Sequence, residues 1–202
     1  MTTDEFLKHK AQEDTEYLTA ELERRLDLPD GFSKRLLVED DWSFIIKIHA
    51  LLEAAVAHAI AESLRRAELD DLIASMSLNG RISKMAVLES LEAVDPALKR
   101  FVNELSALRN QLVHKIAHAS FDLPGYVGRL EPSKVEEWIS AFGTMQQKRA
   151  GSETREHQRR LFLRAPKESI WVTARIWLAR LYLGTQRDLL ERFERVLAAE
   201  DE

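Results

Sequence analysis

Residues 95–116, DPALKRFVNELSALRNQLVHKI, indicate the fold class of this chain. Asp95 is a good N-cap, and Pro96 suits the first helical position, where a missing N–H does no harm. Apolar side chains then recur every three or four residues, the period of one buried helix face: Leu98, Phe101, Val102, Leu105, Leu108, Leu112 and Ile116. The stretch predicts a long helix that packs one side into a core.

The same helical spacing continues along nearly the whole chain, with no sustained alternation of period two. Only 7 glycines and 5 prolines interrupt the 202 residues. The sequence therefore predicts an all-α fold, with a highly charged first helix from about Asp4 to Leu26 on the outside. A helix from about Asp41 to Arg66 is apolar around most of its circumference, so we expect it at the centre of a helical bundle.

Turn residues and caps mark the remaining helices. Asn79-Gly80 precedes a shorter helix that contains Ile82, Met85, Ala86, Leu88 and Leu91. Ser133 and Glu136 have the spacing of a capping box, which predicts a helix through Trp138, Ile139, Phe142 and Met145. Pro166 is expected to open a last helix.

No internal repeat and no Gly/Ser-rich linker divides the chain. We therefore expect one helical core with helical additions at both ends. The predicted parts are an N-terminal charged helix packed on the core (1–30), a helical core (35–122) and a C-terminal helical extension (133–202).

The composition excludes several chemistries. The chain has no cysteine, so it cannot form disulfides, thiolate nucleophiles or cysteine-based metal centres. No apolar run approaches the roughly 20 residues of a membrane span, and the stretch MTTDEFLKHK is too charged for a secretory signal. We expect a soluble, cytoplasmic protein with no membrane partner.

Charge is distributed unevenly along the chain. The net charge of −5 means that the surface as a whole does not attract nucleic acid, so binding would need a local basic patch. Such a patch is offered by Lys148, Arg149, Arg155, Arg159, Arg160 and Arg164. Arg155, Arg159 and Arg160 are the candidate RNA-binding residues, and a solvated surface is the alternative interpretation of this segment.

Two residues near the end of the 95–116 helix have side chains suited to catalysis. Arg109 is always charged and can fork onto phosphate oxygens, whereas His114 can exchange protons near neutral pH. On a helical wheel Arg109 falls at the margin of the apolar stripe, so its guanidinium needs a partner. Glu53, a carboxylate on the apolar central helix, is a candidate, and a structural Arg109–Glu53 ion pair is one interpretation of both residues.

The other interpretation is a phosphate-chemistry site. His114 lies roughly 140° around the helix from Arg109, and Asn110 and His118 share its face at four-residue spacing. The Arg and His can still meet on one phosphate if the long Arg side chain reaches around the helix. A two-fold axis that brings two copies of the helix together would have the same effect.

A metal site is the competing enzymatic interpretation. His49 with Glu53, and His114 with His118, have the four-residue spacing of helical metal ligands. Neither pair has a further carboxylate at a matching position. We therefore predict no metal and no cofactor.

An all-α bundle whose late core helix carries Arg109, Asn110 and His114 resembles the HEPN superfamily. The hallmark of that superfamily is an Arg, a spacer of four to six residues and a His, often with a polar residue directly after the Arg; here four residues separate Arg109 from His114. The lead-in Leu105-Ser106-Ala107-Leu108 and the earlier Leu51-Leu52-Glu53 are also similar to that family. The similarity covers about residues 35–122, and everything past Pro124 lies outside it.

The resemblance implies a metal-independent endoribonuclease, commonly dimeric, of the kind found as toxins or antiviral effectors. His114 would act as general acid or base, Arg109 would bind the phosphate, and Asn110 would orient the imidazole or the ribose. Glu53 and His118 would support the site. The implied partners are RNA, a second copy of the chain, and an antitoxin or regulatory protein.

Other members of the superfamily are binding or regulatory modules without activity. The chain is also similar in helical make-up to the mannitol operon repressor group, which gives a non-catalytic alternative. Such a module would bind its partner through the last helix, where residue types common at interfaces occur: Trp171, Arg175, Trp177 and Arg180.

Overall fold

The computed structural model describes residues 3–91, 94–114, 120–143 and 152–200. Within these ranges all regular structure is helical and no strand occurs, which confirms the all-α fold. The helices are α1 (Thr3–Arg25), α2 (Phe32–Arg35), α3 (Asp41–Leu64), α4 (Asp70–Ser75), α5 (Lys84–Ser90), α6 (Pro96–Val113), α7 (Leu123–Val127), α8 (Pro132–Phe142), α9 (Ser152–Arg164) and α10 (Pro166–Glu200).

Side-chain caps fix the beginnings of the helices that position the site. Asp95 Oδ1 accepts a hydrogen bond from the Ala97 backbone N–H at 2.8 Å, as expected of the N-cap of α6. Asp40 does the same before α3, where its Oδ1 accepts from the Ser43 N–H at 2.8 Å. Hydrogen bonding from Ser43 lowers the pKa of the Asp40 carboxyl, because it stabilises the ionised form.

Two local expectations were wrong. The capping box at Ser133 does not form, because α8 begins two residues earlier than that box requires, with Glu131 as an N-cap whose side chain makes no capping bond. Glu136 is ion-paired with Arg159 instead. Ile82 lies before α5 and is 74% exposed, because Ser83 caps that helix after it. The sequence pattern did not predict the short α7, which Asp122 caps by accepting a hydrogen bond from the Gly125 N–H at 3.0 Å.

The described residues group into two compact units, each assembled from separate stretches of chain. The first unit comprises Met1–Asp30, Glu53–Ala93 and Trp177–Glu202, and the second comprises Gly31–Leu52 and Val94–Ile176. This division follows packing rather than chain order. The three consecutive parts inferred from the sequence stay a prediction.

An aromatic cluster forms much of the core of the second unit. Phe101 of α6 meets Phe142 of α8 edge to face, with ring centroids 5.5 Å apart, and Trp138 packs against Phe142 at 5.2 Å. Phe162 of α9 reaches the same tryptophan at 6.4 Å. All four side chains are buried, so this cluster holds α6, α8 and α9 together.

Helix α3 is both long and apolar. By length and composition alone it is the one described helix that could cross a membrane. Of its most apolar stretch, 56% is buried inside the protein. The expectation that no segment is long and apolar enough to span a membrane therefore does not hold for α3. The cytoplasmic location stays a prediction.

Candidate functional site

The last two turns of α6 present the predicted chemical residues. Leu105, Leu108 and Leu112 are buried on one side of the helix and fix its rotation. Consequently Asn110 and His114 are exposed, while Arg109 is half-buried at the edge of the apolar side. The helical wheel predicted this arrangement.

Two hydrogen bonds tether this end of the helix within the second unit. Trp42 donates its indole N–H to the Leu112 carbonyl at 3.3 Å, so that one of the unpaired C-terminal carbonyls of α6 is satisfied. Tyr126 of α7 donates its hydroxyl to Gln111 Oε1 at 2.9 Å, and its ring lies 5.5 Å from that of Trp138. The end of α6 is therefore held on two sides.

Arg109 and Asn110 are joined directly. Arg109 Nη1 donates to Asn110 Oδ1 at 3.1 Å. The guanidinium has several N–H donors in a fixed fork, so this single bond leaves others able to meet phosphate oxygens. The contact pre-orients the guanidinium beside an exposed amide.

His114 is the C-cap residue of α6, with backbone angles still in the helical region, and its side chain is exposed. Among the described residues no contact joins the imidazole to Arg109. The two side chains share the end of the helix but not a bond, in line with the roughly 140° between them. His118 lies outside the described residues.

Glu53 has a cation within the first unit, and that cation is Lys84. The ammonium of Lys84 lies 2.8 Å from Glu53 Oε1, donates to the Ala74 carbonyl at 3.2 Å, and also donates to the Met76 carbonyl. The carboxylate on α3 is thus paired with Lys84, and the Arg109–Glu53 ion pair stays a prediction. The sequence pattern gave no sign that Lys84 would be the partner, because its burial depends on two carbonyls at the C-terminal end of α4.

The residues weighed as metal ligands have other contacts. His49 is buried, and its Nε2 lies 3.0 Å from Ser106 Oγ on α6. In the described ranges, no group of three or more His, Cys, Asp or Glu side chains is arranged to hold a metal ion. The prediction of a metal-free site stays a prediction, since residues 115–119 are not described.

The basic segment is helical from Ser152 onward, where it forms α9. Arg159 is ion-paired with Glu136 of α8. Arg160 is exposed, and the side chain of Arg155 lies outside the described part of the chain. Of the three candidate RNA-binding residues, Arg160 is thus the one seen to face solvent.

The tryptophans of the last helix pack mainly inside the chain. Trp177 is buried, with the guanidinium of Arg180 5.2 Å from its ring. Trp171 donates its indole N–H to the Ser33 carbonyl at 2.7 Å and carries Arg175 over its ring at 4.6 Å. The four side chains that the sequence suggested for an interface therefore form cation–π pairs with one another within the chain.

No protein-family model, curated protein or solved structure matches the chain. The HEPN resemblance therefore depends on the Arg109–His114 motif and on the helical pattern around it.

Proposed function

We propose that the chain is a metal-independent endoribonuclease of HEPN type, acting as a toxin or antiviral effector, whose site is the end of α6. The observation that carries the proposal is the pairing of Arg109 with the exposed Asn110 at 3.1 Å, one turn before the exposed His114. A tethered helix end that presents a guanidinium, an amide and an imidazole has the groups that phosphodiester transfer needs.

In the proposed reaction the ribose 2′-oxygen attacks the adjacent phosphorus. A bond forms between O2′ and phosphorus, and the bond from phosphorus to O5′ breaks, which leaves a 2′,3′-cyclic phosphate and a free 5′-hydroxyl. One imidazole accepts the proton from O2′ and a second imidazole supplies a proton to O5′. Arg109 binds the phosphate and offsets the negative charge that develops on it.

The need for two imidazoles favours a homodimer. The exposed side of α6 carries Asn110 and His114. A two-fold axis along that side would bring the second His114 next to the first, with a cleft between the two chains. Each chain would then supply one acid–base group. A partner antitoxin or regulatory protein would act by covering this cleft.

Cleavage of single-stranded RNA and transfer RNA in the presence of EDTA tests the proposal. His114→Ala and Arg109→Ala are expected to lower the rate by at least about 100-fold, the usual contribution of a general acid–base group. His9→Ala and Arg81→Ala, which change exposed residues in the first unit, serve as matched controls and are expected to cleave normally. Mass spectrometry of the products should show cyclic phosphate ends.

Several outcomes would overturn the proposal. Intact RNA with the wild-type protein, with or without divalent metal, contradicts the assignment, and so does full activity in His114→Ala. If Arg109→Ala unfolds the protein, Arg109→Lys is the substitute, because it keeps the positive charge but loses the forked donors of the guanidinium. A normal cleavage rate in Arg109→Lys would show that Arg109 does not bind the phosphate through two hydrogen bonds. In cells, growth arrest on expression should disappear with His114→Ala.

A further inference from the structure

Helix α9 has two sides of different character. Gln158 and Phe162 are buried against the second unit's core, and Phe162 contacts Trp138. The opposite side is exposed and carries one row of residues at three- and four-residue spacing: His157, Arg160 and Arg164. We call this row the α9 ridge.

The α9 ridge is positively charged, although the net charge of the protein is negative. The chain has a net charge of −5, yet Arg160 and Arg164 point outward one turn apart. Neither forms an ion pair with any residue in the described part of the chain. The neighbouring cations differ, because Arg159 is ion-paired with Glu136 and Lys167 lies 3.1 Å from Asp41.

We propose that the α9 ridge binds the phosphate backbone of RNA, with Arg160 and Arg164 each meeting one phosphate. Identifying the polyanion as RNA rests on the proposed function. The ridge spans about 10 Å along the helix axis from His157 to Arg164. It therefore offers an extended run of donors, which suits a strand better than a single small anion.

The distribution of apolar side chains favours nucleic acid over a lipid surface. A helix that lies on a membrane needs a continuous apolar side to insert between lipids. In α9 that side faces the core, and the exposed Leu161 and Leu163 flank the ridge on opposite sides rather than forming one patch. The ridge is charged without an apolar anchor, as expected of a surface that follows a phosphate backbone.

Salt dependence of binding provides the test. The protein carries His114→Ala so that the RNA stays whole, and a short fluorescent single-stranded RNA is titrated by anisotropy. Each phosphate contact contributes about 0.7 to the slope of log affinity against log salt for a single strand, so Arg160→Gln with Arg164→Gln should reduce the slope by about 1.4. Between about 50 and 200 mM salt, the parent should lose about sevenfold more affinity than the double variant.

A matched control removes two exposed arginines elsewhere, with Arg65→Gln and Arg81→Gln in the first unit, and should keep the slope of the parent. Glu156→Gln removes the acidic side chain described on α9 and should tighten binding. Equal slopes in the parent and in the ridge variant overturn the proposal. Binding to phosphatidylserine vesicles in place of RNA, lost in the same variant, also overturns it and assigns the ridge to membranes.

The ridge and the catalytic proposal fail separately. RNA that binds through the ridge but is never cleaved by the wild-type protein retains the ridge and removes the endoribonuclease. Cleavage that needs His114, with binding unaffected by the ridge variant, does the reverse.

Discussion

Removing the two partners of the Lys84–Glu53 ion pair one at a time tests whether burial decides the cost of losing a charge. The side chain of Lys84 is 2% exposed, whereas that of Glu53 is 34% exposed. The ammonium also depends on the carbonyls of Ala74 and Met76. The two partners are therefore unequal, and the two deletions should differ.

Glu53→Ala leaves a buried ammonium without its counter-charge, which typically costs about 3–5 kcal/mol. Lys84→Met keeps most of the apolar stem and leaves a carboxylate that water can reach. The cost is then the net loss of hydrogen bonds to a charged group, about 2 kcal/mol. We expect Glu53→Ala to be the more destabilising change, although both remove one partner of the same bond.

Urea unfolding followed by far-UV circular dichroism measures both changes as shifts of the midpoint at unchanged slope. Glu62→Ala, at an exposed glutamate of the same helix, is the control and should stay within about 0.5 kcal/mol of the parent. The double variant should cost less than the sum of the single ones by about 1–3 kcal/mol. Equal losses, or a larger loss in Lys84→Met, would refute the reasoning from burial.

Three further predictions concern pH, capping and the core. Burial lowers the pKa of His58 below its usual 6.5; the charge of Glu62 opposes this shift and that of Arg25 adds to it. As the pH drops below 6.5, the unfolded chain binds a proton on His58 before the folded chain does, so the free energy of unfolding falls. Urea titrations at several pH values should show that this free energy falls less steeply in His58→Gln. Asp95→Ala removes the bond to the Ala97 N–H and should cost about 1 kcal/mol, measured by urea unfolding, whereas Asp95→Asn should cost much less. Phe142→Ala opens a cavity between two aromatic rings and should cost about 4 kcal/mol, seen as a lower melting temperature; a loss under 1 kcal/mol would contradict the packing.

Local signals in the sequence predicted much of the fold. The apolar stripe and the Asp95-Pro96 start identified α6, because the hydrophobic period and the N-cap both depend only on residues close together in sequence. The capping box at Ser133 failed because Pro132 already occupies the first turn and Glu136 pairs with Arg159 across to α9. Short elements such as α7 carry too few residues for a periodic pattern.

The candidate site was predictable in part, where it depends on the hydrophobic period of α6. The exposure of Asn110 and His114 follows from the stripe on the opposite side of α6. The partner of Glu53 did not follow, because Lys84 is bonded to carbonyls at the C-terminal end of α4, and such tertiary contacts leave no trace in the hydrophobic period. The direction of the basic residues on α9 likewise depends on which side packs against Trp138.

Trp42 supplies the protein with its own optical probe at the end of α6. Its indole N–H is bonded to the carbonyl of Leu112, two positions before His114, so unwinding of the last helical turn would break that bond and change the polarity around the ring. The difference between the fluorescence spectra of the parent protein and Trp42→Phe would isolate this signal from the other tryptophans. Fraying or clamping of the helix end could then be followed in real time without an attached dye.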